Sequence, residues 1–241
     1  MQETTRDIKS MTIEELAGVM KENGFPAFRA KQLYRWMHVS LVRNYEEMTN
    51  IPKVMAERLS KEYPLTTARM IDRQVSKLDG TQKYLFAMGD DSLVESVFMR
   101  YKFGNSVCIS SQVGCRMGCR FCASTLDGLY RSLTPSEMLE QIYEIRRVTG
   151  ERISHVVVMG TGEPLDNYDN LVRFLHLLTD ENGLNISQRN VTVSTCGIVP
   201  RIYDLAKENL SITLALSLHA VTDEKRRQSQ IGRAVQQECR D

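Results

Sequence analysis

No run of about 18 apolar residues occurs in the chain, so the sequence offers no membrane-crossing helix. The opening residues, Met1 to Ser10, are polar and lack the apolar stretch of a secretory signal. Neither charge sign is in excess: 31 Lys and Arg face 30 Asp and Glu, a formal charge of +1. Any nucleic-acid surface must therefore be a local patch. Only 6 of the 241 residues are proline and 14 are glycine, which excludes collagen-like and low-complexity classes. With 42% hydrophobic and 25% charged residues, disorder is excluded as well. What remains is a globular chain expected in the cytosol, where thiols stay reduced. Its 6 cysteines are then metal ligands, catalysts or core residues before they are disulfides.

The hydrophobic period divides the chain. Residues 12–63 read as helices. Thr12 and Glu15 form a capping-box signature ahead of Ile13, Leu16, Ala17 and Met20, and Gly24 stops that helix. A second helix is expected from about Ala27 to Val39 and a third from near Pro52. From Thr66 the period shortens. Asp79-Gly80 is a hairpin signal between Met70–Leu78 and Thr81–Met88, and a further strand is expected over Leu93–Tyr101. Beyond residue 100, candidate strands (Ser106–Ser110, His155–Met159, Asn190–Thr195, Ile212–Leu218) alternate with candidate helices (Pro135–Val148, Asn167–Leu178, Val199–Glu208). That alternation predicts parallel βα units. The expected organisation is a helical region over 1–65, a hairpin or linker segment over 66–100, and an α/β core over 101–241. Asp223–Asp241 is highly charged with no convincing apolar face, and four parallel strands leave an open edge. The chain reads as one cut short.

Two motifs carry chemistry. Cys115, Cys119 and Cys122 stand at C-x3-C-x2-C spacing in a glycine-containing loop after an apolar strand. Three thiolates can hold three irons of a four-iron cluster and leave the fourth open to a non-protein ligand. The alternative is a zinc site completed by a distant ligand such as His155 or Cys196, although only half of the usual paired zinc pattern is present. The second motif is Val156-Val157-Val158-Met159 followed by Gly160-Thr161-Gly162-Glu163-Pro164. Its glycines let backbone approach a ligand, and Glu163 can meet an ammonium group. Leu165 occupies the third glycine position of a dinucleotide fingerprint, so that reading fails.

With Cys108-Ile109-Ser110-Ser111-Gln112, Val193-Ser194-Thr195, Ser217-Leu218-His219-Ala220 and Phe28–Trp36, these motifs resemble the RlmN/Cfr family of radical S-adenosylmethionine (SAM) enzymes. These methylate C2 of adenine in 23S rRNA and tRNA. The resemblance runs from about residue 12 to 227 and implies a partial (β/α)6 barrel behind a helical accessory domain. It further implies a 4Fe–4S cluster on Cys115, Cys119 and Cys122, and SAM contacts at Gly162, Glu163, Ser194, Ser217, Leu218 and His219. In this family SAM is split to a 5′-deoxyadenosyl radical, and a flavodoxin-type electron donor is implied. Cys108 is implied as the thiol that resolves a covalent RNA adduct, where the bland reading is a small buried hydrophobe. Glu95 is implied as the proton acceptor. Alternation puts it on the face of Leu93, Val97 and Met99, where apolar neighbours would raise its pKa, unless it is an edge residue turned to water. Lys21, Arg29, Lys31, Arg35 and Arg43, interleaved with Phe28, Tyr34 and Trp36, are candidates for RNA contact or simply a solvated face. The family also uses a methyl-carrying cysteine on a C-terminal segment. Cys239 is the sole cysteine after 196, and its context, Gln236 to Arg240, does not resemble that segment. A non-catalytic remnant that binds cluster, SAM or RNA is therefore the competing expectation.

Overall fold

A computed structural model describes residues 7–229; Cys239 and the final stretch lie outside the described residues. The helical region opens with α1 (Ile13–Glu22). Its capping box forms as the sequence predicts: Thr12 Oγ1 accepts from Glu15 N, and Glu15 Oε2 accepts from Thr12 N at 2.8 Å. Gly24, in the left-handed region, lets Phe25 N reach back to Met20 O and close the turn. Helices α2 (Arg29–His38) and α3 (Lys53–Glu62) follow. Leu16, Met20, Leu33, Tyr34, Met37 and Leu59 are fully buried here.

Among the described residues nine strands follow in chain order: β1 (Arg69–Val75), β2 (Gln82–Ala87), β3 (Leu93–Tyr101), β4 (Gly104–Ile109), β5 (Gln112–Gly114), β6 (Leu129–Ser132), β7 (His155–Val158), β8 (Val191–Thr195) and β9 (Thr213–Leu216). Seven form one sheet in the order β1-β2-β3-β4-β7-β8-β9. Strands β4, β7, β8 and β9 run parallel, connected through α4 (Pro135–Thr149), α5 (Tyr168–Thr179) and α6 (Val199–Lys207). This is an α/β fold, four strands of a partial (β/α)6 barrel. A further helix, α7 (Asp223–Ser229), follows β9.

The sheet does not break at residue 100. Strand β3 pairs antiparallel with β4 from Tyr101↔Gly104 to Val97↔Cys108, so 66–100 extends the core sheet and is no linker. Strands β5 and β6, in the stretch expected to be loop, form a separate hairpin bracketing the cysteines.

One face of the parallel strands carries Val107, Ile109, Val156, Val158, Val191 and Val193, all fully buried. Residues of matching burial on α4 and α5 (Leu139, Ile142, Leu171, Phe174, Leu178) complete that core. The opposite face, with Cys108, Val157 and Thr192 in one register row, is only partly covered. The helical region is locked to α4 by polar contacts: Lys9 Nζ lies 2.6 Å from Glu140 Oε1, both fully buried, and His38 Nδ1 lies 2.6 Å from Tyr143 Oη. No helix among the described residues is long and apolar enough to cross a membrane.

Candidate active site

In a parallel sheet the loops at the carboxyl edge converge, and ligands gather there. The cysteine loop is held at that edge by the β5–β6 hairpin. Gly114 has φ +73°, and a Cβ on it would lie 2.0 Å from Gly128 O, so only glycine lets the two strands close. Cys115 N then donates to Gly128 O at 2.9 Å, and Thr125 Oγ1 ties the carbonyls of Cys119 and Cys122. Opposite stands the turn after β7. Gly162, at φ +103°, packs so tightly that a Cβ would come within 2.5 Å of Gln112 Cβ.

Between these walls lies a cavity of about 230 Å³. Cys115, Cys119 and Cys122 line one side. Gly162, Glu163, Ser194, Ser217 and His219 line the others. The sequence thus named residues from four segments that the fold brings to one cavity. Cys115 and Cys119 are buried and Cys122 half-buried. Burial pushes the Cys115 thiol up to about 11, helped by the nearby Glu163 and the other two thiols. Binding a cation there would therefore displace protons. Ser194 Oγ and Ser217 Oγ lie 3.2 Å apart, and the His219 ring tilts against Phe121 with centroids 4.4 Å apart.

Three expectations need correction. Leu218 is 47% exposed and does not line the cavity. The strand ends at Leu216, and of the three residues beyond it only Ser217 and His219 face the site. Glu95 shares a face with Val97 and Met99 as expected, but it is exposed, not enclosed by apolar groups. Leu93 is 52% exposed, and Lys83 Nζ sits 2.6 Å from Glu95 Oε1. Tyr34 is fully buried and cannot stack on a base, and Arg43 is committed to Glu144 at 2.7 Å. Glu163 also has more partners than expected: its carboxylate accepts from Leu165 N at 3.0 Å and Cys196 N at 2.8 Å. It is fixed in place, with lone pairs left over for a ligand cation.

Cys108 faces a second, larger cavity of about 570 Å³ on the open face of the sheet. Burial raises its thiol pKa. Met159, at the end of β7, lines both cavities, so they adjoin. Register places Glu95 one pleat row beyond the Val97–Cys108 pair, toward the edge that carries the cysteine loop.

Cys115, Cys119 and Cys122 line one cavity, and three thiolates with one corner left to a non-protein ligand suit a four-iron cluster. His155 begins β7 and lines the other cavity, so it is no fourth ligand. Cys196 does line the cysteine cavity, hydrogen-bonded to Glu163, a neighbour that the sequence offered only as a zinc alternative.

The radical SAM superfamily model matches residues 109–239, more than half of the chain. This chain belongs to the radical SAM superfamily. Residues 6–64 match the ribosomal RNA large subunit methyltransferase N-terminal domain. It is 60% identical over 220 residues to a probable dual-specificity RNA methyltransferase RlmN of Lachnoclostridium phytofermentans, covering 91% of this chain and 62% of that protein. The RlmN of Lachnospira eligens, described in the same words, is 58% identical over 92% of this chain and 63% of its own length. The chain thus spans less than two thirds of these relatives. A radical SAM methyltransferase from Sphaerobacter thermophilus superposes with a TM-score of 0.87 at 38% identity, covering 93% of this chain and 67% of that one. Radical SAM membership implies a 4Fe–4S cluster and SAM as cofactors.

Proposed function

We propose that the chain serves as a SAM-dependent RNA methyltransferase directed at C2 of adenine in 23S rRNA and tRNA. The observation that carries this reading is the junction of two cavities at Met159, one lined by the three cysteines and the other by Cys108. Cys115, Cys119 and Cys122 would hold the cluster, and Gly162, Glu163, Ser194, Ser217 and His219 would hold SAM beside it. When bound, the cluster and SAM together supply radical chemistry at a methyl carbon.

The chain's own groups do the rest. Glu163, its carboxylate anchored by two backbone N–H groups, would meet the ammonium group of SAM without needing to reorganise. Glu95, a carboxylate paired with Lys83, accepts the proton that leaves adenine C2. Cys108, half-buried with its thiol pKa raised by burial, would give up its proton before acting as the resolving nucleophile. Lys31 and Arg35 stand exposed four residues apart on α2, with exposed Phe28 beside them, and suit phosphate and base contacts. A flavodoxin-type protein would serve as reductant.

The test is anaerobic reconstitution with iron and sulfide, followed by incubation with reductant, SAM and an adenine-containing rRNA or tRNA transcript. An iron–sulfur chromophore and reductive SAM cleavage are expected, and 2-methyladenine formed by this chain alone would exclude the reading as a non-catalytic remnant. A protein that loads zinc but no iron, or that leaves SAM uncleaved, overturns the proposal.

A further inference from the structure

The cysteine loop and the Gly162–Glu163 turn come from segments nearly fifty residues apart, yet radical chemistry needs cluster and SAM held in fixed register. Three side chains outside the cavity join them. Gln112, fully buried on β5, accepts from Glu163 N through Oε1 at 2.9 Å and donates through Nε2 to Asp166 Oδ2 at 3.0 Å. Asp166 in turn receives Arg116 Nε at 2.9 Å and 3.1 Å on its two oxygens. Arg116 lies directly beside Cys115, and Gln112 stands three residues before it. Asp166 follows Glu163 in the same short turn. None of the three lines the cavity, so none is placed to touch SAM.

We propose that Gln112, Asp166 and Arg116 form a latch that fixes the spacing between the cysteine loop and the SAM-binding turn. They act as positioning residues. The latch rests on the radical SAM reading above. Gln112 supplies the buried hinge. It satisfies the Glu163 amide while its methylenes fill the space that the missing Gly162 Cβ leaves free. The Arg116–Asp166 pair supplies the adjustable arm. The Arg116 side chain is 60% exposed while Asp166 is 11% exposed, so removing the arginine perturbs little packing. A planar guanidinium sets two bonds at once, which a lysine ammonium cannot reproduce.

The experiment compares the anaerobically reconstituted wild-type chain with R116A, R116K and D166N. Iron content, melting temperature, the EPR spectrum of the reduced cluster with and without SAM, and kinetics of reductive SAM cleavage are read together. R116A is expected to keep wild-type iron content and melting temperature. Its SAM-induced EPR change should weaken, and its KM for SAM should rise by about tenfold or more with a smaller change in kcat. D166N should behave alike, and R116K should recover only part. An unchanged SAM response in R116A would overturn the proposal. So would loss of iron together with a lowered melting temperature, because the residues would then be merely structural. Should the wild-type chain itself take up no iron, the radical SAM reading fails and the latch with it, a result distinct from a defect confined to the variants.

Discussion

Gly162 shows how narrowly single residues define this site. Its φ of +103° and the 2.5 Å approach to Gln112 leave no room for a methyl group. G162A should therefore cost about 1–3 kcal/mol of stability and abolish the SAM-induced spectral change. Wild-type melting and SAM response in that variant would contradict the packing described. The cysteine loop and the Gly-x-Gly-Glu-Pro turn were legible in the sequence because their chemistry depends on local spacing. Glu95 was legible only in part. Alternation gave its face, but burial depends on what covers that face, and there Glu95 stays exposed and paired with Lys83. Leu218 was misplaced because the strand register ends at Leu216. The link from Gln112 to Asp166 is not legible because its partners lie on separate segments, which no single stretch of sequence displays, and for the same reason Cys196 enters the sequence analysis only as a zinc alternative.

Among elements, α4 holds the helical region to the core, and it does so with buried charge. Lys9 and Glu140 are both fully buried, with Arg147 Nη1 3.0 Å from the same carboxylate. K9M leaves Glu140 with one fewer partner and should destabilise the protein by about 3 kcal/mol, read by denaturant unfolding. A near-zero effect would mean that Arg147 alone satisfies the site. On α2, burial above all, with the Lys9 charge adding, pushes the His38 pKa down from 6.5 to about 3. The unfolded chain takes up that proton near 6.5 and the folded chain does not, so stability falls as pH drops from about 6.5 toward 3. H38Q should remove up to about 1.4 kcal/mol per pH unit from the slope of unfolding free energy across that window. An unchanged slope would show that other groups govern the acid limb. The helices were legible from periodicity and caps, as Thr12 with Glu15 shows. The joining of β3 to β4 was not, because the antiparallel period of 66–100 says nothing about which strand lies beside it.

At the scale of the whole molecule, the parallel strands deliver four separate segments to one edge, and the cavity there has the ligand count of an open cluster. That geometry carries the functional reading, and one measurement bears on it directly. The chain is reconstituted with iron and sulfide under anaerobic conditions, and its iron content and visible absorption are compared with those of C115A, C119A and C122A. The account predicts one 4Fe–4S cluster in the wild-type chain, an EPR signal that changes on adding SAM, and loss of the chromophore in each variant. Iron uptake that survives these substitutions, or zinc bound in place of iron, would contradict it.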